Sequence, residues 1–146
     1  IRLSLVGSEM CIRDRSWRAP GKPADFQMHI NTPDMINAGT DDRIKITANI
    51  FNALPSADVK VRIGDEGEWM SMKRNLQIDP VRLAVAEREK QLGKVPWRNM
   101  GESSSSGHIW IAEPQIKLDP GVYVIHIKAV DEWWQYEGKR LLHVKK

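Results

Sequence analysis

The chain has 146 residues, with 22 Lys and Arg against 19 Asp and Glu, 41% hydrophobic residues and six Trp. A formal net charge of +3, with no segment collecting the basic residues, excludes the concentrated cationic face that a nucleic-acid partner requires. No stretch approaches the ~20 consecutive apolar residues of a membrane-spanning helix, so no membrane span is expected in this sequence.

Residues 1–15, IRLSLVGSEMCIRDR, fit no structural element. Gly7, Ser8 and Glu9 interrupt the apolar run that a signal peptide would need, and no helical period emerges. Leu5 to Asp14 instead resemble, residue for residue, the in-frame translation of a transposon adapter used in sequencing libraries. Residues 1–15 are therefore read as a non-native, adapter-derived segment, and residues 16–146 as one domain of a protein expected to continue upstream. Cys11 is the only cysteine and falls in that segment, so the domain is expected to have neither a disulfide nor thiol chemistry. The same segment holds Arg2, Arg13 and Arg15 against Glu9 and Asp14, so without it the net charge of +3 drops by one. All six Trp lie outside it.

The remaining sequence reads as short strands. In DFQMHINTP, Phe26, Met28 and Ile30 share one face and Pro33 ends the run. RIKITANIF alternates strictly, with Ile44, Ile46, Ala48 and Ile50 on one side and Lys45, Thr47 and Asn49 on the other, the period of a half-buried strand. ADVKVRIG repeats the pattern with Val59, Val61 and Ile63 inward. The intervening NALPSA has turn residues, and the two strands are expected to pair antiparallel across it. A hairpin turn at Gly64-Asp65-Glu66-Gly67 leads to a further strand, Glu68 to Lys73.

DPVRLAVAEREKQLGK breaks the series. Asp79 is a natural N-cap, Pro80 suits the first helical position, and Gly93 stands where a helix would stop. A short helix is expected near 79–92, with Val81, Ala84, Val85 and Leu92 as an apolar stripe and the EREK run as a solvated face. PWRNMGESSSSG follows as a loop. No base stands beside Ser103 to Ser106 in any nucleophile arrangement. A strand around Ile109 to Ile111 comes next. The Asp119-Pro120-Gly121 turn then opens a strand from Val122 to Val130. Tyr123, Ile125, Ile127 and Ala129 share one of its faces, and Val122, Val124 and Val130 on the other suggest a central strand buried on both sides for part of its length. GKRLLHVKK closes the sheet. The pattern specifies a mainly β fold, an antiparallel, Ig-like β-sandwich with one inserted helix.

Several short runs carry a resemblance: APGKPADFQMHI with Pro23-Ala24-Asp25, Asp79-Pro80, His108-Ile109-Trp110, Pro120-Gly121 and Ala129-Val130-Asp131, in this order. The chain is similar over Ser16 to Val144 to the C-terminal domain of bacterial calcineurin-like metallophosphoesterases. It departs from the family after Asp131, where a small Gly-containing turn is usual and Glu132-Trp133-Trp134 stands here. The resemblance implies a non-catalytic accessory domain following a catalytic domain that binds two divalent metal ions and hydrolyses phosphate esters. The expected partner is that upstream domain, in the same chain, and the expected compartment is the periplasm or cell exterior. The family's metal motifs, Asp-x-His, Gly-Asn-His and Gly-His-x-His, are not complete in this sequence. Gly64-Asp65 matches only a dipeptide and is better explained as a turn. His29, His108, His126 and His143 share no metal-ligand spacing. No catalytic residue, metal ligand or cofactor is therefore expected within the sequence.

Aromatic and loop residues are the candidates for contact with the upstream domain or its cleft: Trp97, His108, Trp133, Trp134 and Tyr136. Neighbouring strand residues point to opposite faces, so Trp133 and Trp134 are not both expected in the core. Trp17, like Trp97, flanks a basic, Pro-containing loop. The alternative is a carbohydrate- or protein-binding sandwich module of a secreted protein, which would need its exposed aromatics in a coplanar row.

Overall fold

A computed structural model describes residues 18–39, 43–101 and 103–146. The adapter-like residues 1–15 and Trp17 lie outside the described residues. Among the described residues ten elements follow in chain order: β1 (Met28–Asn31), β2 (Met35–Asn37), β3 (Ile46–Ile50), β4 (Asp58–Ile63), β5 (Met70–Ser71), β6 (Lys73–Arg74), α1 (Pro80–Gln91), β7 (Ile109–Ala112), β8 (Gly121–Val130) and β9 (Gln135–Lys145). The strands form two sheets, one ordered β1-β3-β7-β6 and the other β2-β9-β8-β4-β5. All pairs are antiparallel except the parallel pair of β2 with β9.

The core lies between the sheets and follows the period-two pattern. Met28, Ile30, Ile46, Ala48, Ile50 and Trp110 come from the first sheet; Val59, Val61, Ile125, Ile127, Ala129 and Leu142 come from the second. Trp110 is the largest of them and 1% exposed. The sheets approach closely where β1 crosses β9. A Cβ on Gly138 would stand 2.4 Å from Met28 Sδ, so only glycine fits there without movement.

Three expectations are corrected. β3 and β4 do not pair: β3 lies between β1 and β7, and β4 between β8 and β5. Residues 51–57 arch from one sheet to the other, which lets both strands turn their apolar faces into one core from opposite sides. The expected strand 68–73 is split. Met70–Ser71 pairs with β4 and Lys73–Arg74 pairs with β7, while Met72 between them is buried and its amide donates to Val59 O at 2.8 Å. The strand thus switches sheets around an inward methionine. β8 is central, as expected, and the half-burial of Val124 and His126 shows its outer face covered in part, but Val122 is 60% exposed and Val130 is exposed too. Their β-branched side chains suit a strand without requiring burial.

The helix forms as its caps dictate. Asp79 Oδ1 accepts from the Val81 amide at 2.8 Å, Pro80 occupies the first turn, and Gly93 beyond the C-cap has φ +68°. A fourth correction concerns its stripe, because no residue of α1 is buried. The segment leading into the helix covers the outer face of the first sheet. There Ile109 and Thr47 are buried outside the central core, and the Asn75 amide donates to Ile109 O. The Gly64–Gly67 segment is the expected hairpin turn between β4 and β5, with φ +73° at Gly64.

Candidate functional site

One end of the sandwich gathers most of the candidate residues. The approach to β1, the arch 51–57, the start of β7 and the β8–β9 turn meet there through main-chain bonds. The Phe51 amide donates to Gln27 O at 3.1 Å and the Ile50 amide to His108 O at 2.9 Å. The Leu54 amide donates to Asp131 Oδ2 at 3.3 Å. His108, Trp133, Trp134 and Tyr136 therefore share this end, along with the Phe26 and Phe51 rings, whose centroids are 5.6 Å apart.

The β8–β9 turn is built on Asp131. Its Oδ1 accepts from the amides of Trp133 and Trp134 at 2.9 and 2.8 Å, and its own amide donates to Trp134 O at 3.0 Å. This is the side-chain-to-backbone bonding by which Asp stabilises turns. The indoles separate within the turn, before β9 begins at Gln135. Trp134 is partly buried and stacks on Tyr136, with ring centroids 6.3 Å apart and planes at 13°. Tyr136 lies in β9 and packs against the core. Trp133 projects outward and is 67% exposed. The result is a large aromatic on a turn held by its neighbours.

His108 contributes main chain to this end, with its residue exposed. Its amide donates to Ser106 Oγ at 3.2 Å, so the serine loop holds the backbone. Trp97 belongs to the insertion after α1. Its indole N–H donates to Glu89 Oε1 at 2.8 Å, while the Met100 amide donates to Glu89 Oε2 at 2.7 Å. Glu89 thereby folds the loop back along the helix. Trp69, the other exposed indole, lies under the Arg62 guanidinium at 4.9 Å and toward the opposite end of the five-stranded sheet from Trp133. Those two indoles form no row on one surface.

The polar groups are dispersed. Asp65, of the Gly64-Asp65 turn, contacts His126 Nε2 at 2.9 Å. His29, opposite Asn49 in the β1–β3 ladder, lines a cleft of about 520 Å³ between β1 and β9 with Asp25, Glu137, Lys139 and Arg140. Burial holds the His29 imidazole below its ordinary pKa; Asp79 opposes this, and Arg140 and Lys22 add to it. Among the described residues no group of three or more His, Cys, Asp or Glu could hold a metal ion. A two-cation centre therefore has no ligand set in them, and no chemical step is assigned to these side chains.

Three polar residues that organise these surfaces were not singled out from the sequence for those roles. Asp131 pins the turn, and an Asp directly after the end of a strand is a usable signal for it. Asp79 was expected as a cap, but its Oδ2 also accepts from Asn49 Nδ2 at 2.5 Å, fastening the insertion to β3. Arg140, inward on β9, donates to Ile30 O at 2.8 Å and Asp34 Oδ1 at 2.6 Å; no sequence pattern indicates this.

Neither a curated protein nor a solved structure gave a match to the chain. A family model described as the C terminal of calcineurin-like phosphoesterase matches residues 10–136, which takes in the arch, the insertion, the β8–β9 turn and Tyr136. The chain belongs to the family of calcineurin-like phosphoesterase C-terminal domains.

Proposed function

We propose that this chain is a non-catalytic accessory domain that packs on the metal-dependent catalytic domain of its own polypeptide and walls one side of that domain's cleft. Family membership supports the pairing, since a C-terminal domain of a phosphoesterase implies a catalytic domain in the same chain. The observation that carries the reading is Trp133. A two-thirds exposed indole on a turn tied down by Asp131 is a pre-ordered contact, and Trp is the residue type most enriched at the energetic centres of interfaces. Hydrolysis of phosphate esters belongs to the upstream domain, where two divalent ions would stabilise the attacking and leaving oxygens.

The test is a comparison of three preparations: the complete parent polypeptide, the same polypeptide ending before residue 18, and the 146-residue chain. The complete protein is expected to hydrolyse an aryl phosphate ester with added divalent metal. Truncation is expected to lower its thermal stability or its kcat/KM, and the 146-residue chain is expected to be inert. Metal-dependent hydrolysis by the 146-residue chain would overturn the reading.

A further inference from the structure

Among the described residues two polar ones are buried, Thr32 at 6% and Thr47 at 3% exposure. Both line one cleft of about 670 Å³, within the size range of small-molecule sites. It lies between the outer face of the first sheet and the segment that enters α1. Its floor is the last rung of the β1–β3 ladder, where Asn31 stands opposite Thr47. Its walls bring in Lys45, Gln77 and Leu83. Burying a hydroxyl without a partner is unfavourable, and the large majority of buried side-chain polar atoms are hydrogen-bonded. Thr32 Oγ1 is buried and has no partner among the described residues.

The chain itself fixes both sides of the cleft. The Asn49–Asp79 bond fastens the start of α1 to β3, and the Ser106 amide donates to Gln77 O at 2.8 Å. Arg140 holds the crossover after β1 through Ile30 O and Asp34 Oδ1. A preformed site spares a ligand much of the ordering cost.

The lining sets the chemistry of what fits. Asn31, Gln77 and Thr32 carry amide or hydroxyl groups, each able to donate and to accept, which suits neighbouring hydroxyls. Lys45 is the one charged residue among the described lining residues, and it matches a single acidic group. Leu83, 48% exposed, offers an apolar edge to the C–H face of a sugar ring. Neither an aromatic residue nor a second cation lines the cleft among the described residues, so a nucleotide base or a polyanion lacks its usual partners there. We propose that this cleft binds a monosaccharide carrying one acidic group. The acid sits on Lys45, the hydroxyls on Asn31 and Gln77, and Thr32 turns its hydroxyl to the ligand by rotation between staggered wells.

Titration of the isotope-labelled 146-residue chain with glucuronate, glucose and acetate, followed by amide NMR, tests the site. Glucuronate is expected to shift amides of residues 31–33, 45–47 and 77–83 saturably. Glucose, without the acid, and acetate, without the hydroxyls, should each bind at least tenfold more weakly. Lys45→Gln should bring glucuronate down to the affinity of glucose. Thr32→Val separates a binding role from ordinary packing. Replacing an unpartnered buried hydroxyl by a methyl should raise the urea midpoint of the free chain, yet weaken glucuronate at least threefold. A hydroxyl that serves the fold, directly or through an ordered water, lowers the midpoint when lost, and that result overturns the proposal. So do shifts that stay linear with concentration, shifts that acetate reproduces in full, and a glucuronate affinity untouched by both substitutions. The test uses this chain alone, so its failure leaves the accessory-domain reading standing.

Discussion

The carboxylate of Asp131 receives the Leu54 amide at 3.3 Å across the end of the sandwich, while its other oxygen holds the Trp133 and Trp134 amides. One side chain thus ties the arch between the sheets to the turn that presents Trp133. Asp131→Ala removes the acceptor for all three donors and is expected to cost about 1–2 kcal/mol, because partial solvation of the exposed turn offsets some of the loss. Urea unfolding followed by Trp fluorescence measures it, and an unchanged midpoint would count against the role given to this carboxylate. Asp131→Asn keeps an acceptor oxygen and should recover part of the loss.

The bond of Asn49 to Asp79 makes a similar tie between β3 and the insertion. Asp79→Ala removes both this bond and the helix cap and is expected to cost about 1–2 kcal/mol. Asn49→Ala should cost less, since the cap survives. The double variant should fall short of the sum of the two, because each single change already breaks the shared bond. Additive losses in thermal or urea unfolding would show that the two residues act independently.

These ties also mark where the sequence stops being informative. The alternation in β3 and β4 told which side chains face inward, and Ile46, Ala48, Ile50, Val59 and Val61 are all buried. It could not tell which strand each one pairs with, because an inward apolar face satisfies either a hairpin within one sheet or an arch between two. The caps of α1 were legible for the converse reason: Asp79, Pro80 and Gly93 act locally, within a turn of the chain. Its burial was not, since that depends on what lies opposite the stripe. The alternation rule behind the expected separation of Trp133 and Trp134 holds for extended chain, whereas both lie in the turn before β9; their placement follows from Asp131, whose carboxylate also reaches the arch at Leu54, a contact between distant segments that no local pattern encodes.

His29 gives the fold a pH dependence whose sign is determined. Burial lowers its folded-state pKa below 6.5, with Arg140 and Lys22 acting in the same direction and Asp79 against them. Between the lowered value and 6.5 the unfolded chain binds more protons than the folded one, so stability rises with pH through that window and falls as pH is lowered through it. Melting curves from neutral pH to about 5 should show a slope that His29→Gln reduces. A His29 titration by NMR with its midpoint at or above 6.5 would remove the basis for this prediction.

Gly138 tests the closeness of the two sheets. A Cβ there would meet Met28 Sδ at 2.4 Å, Met28 Cγ at 2.7 Å and Ile30 Cδ1 at 3.1 Å. Met28 is buried but lines the cleft between β1 and β9, so its flexible thioether can withdraw part of the way, and Gly138→Ala is expected to destabilise by about 1 kcal/mol through overpacking. The origin of that loss separates steric conflict from backbone strain, because Gly138 is not among the glycines with positive φ. Met28→Ala opens the space that the new methyl needs. The pair Gly138→Ala with Met28→Ala should therefore be no less stable than Met28→Ala alone, and the coupling in a double-mutant cycle should be favourable. If the two losses simply add, the sheets do not meet at this glycine as described.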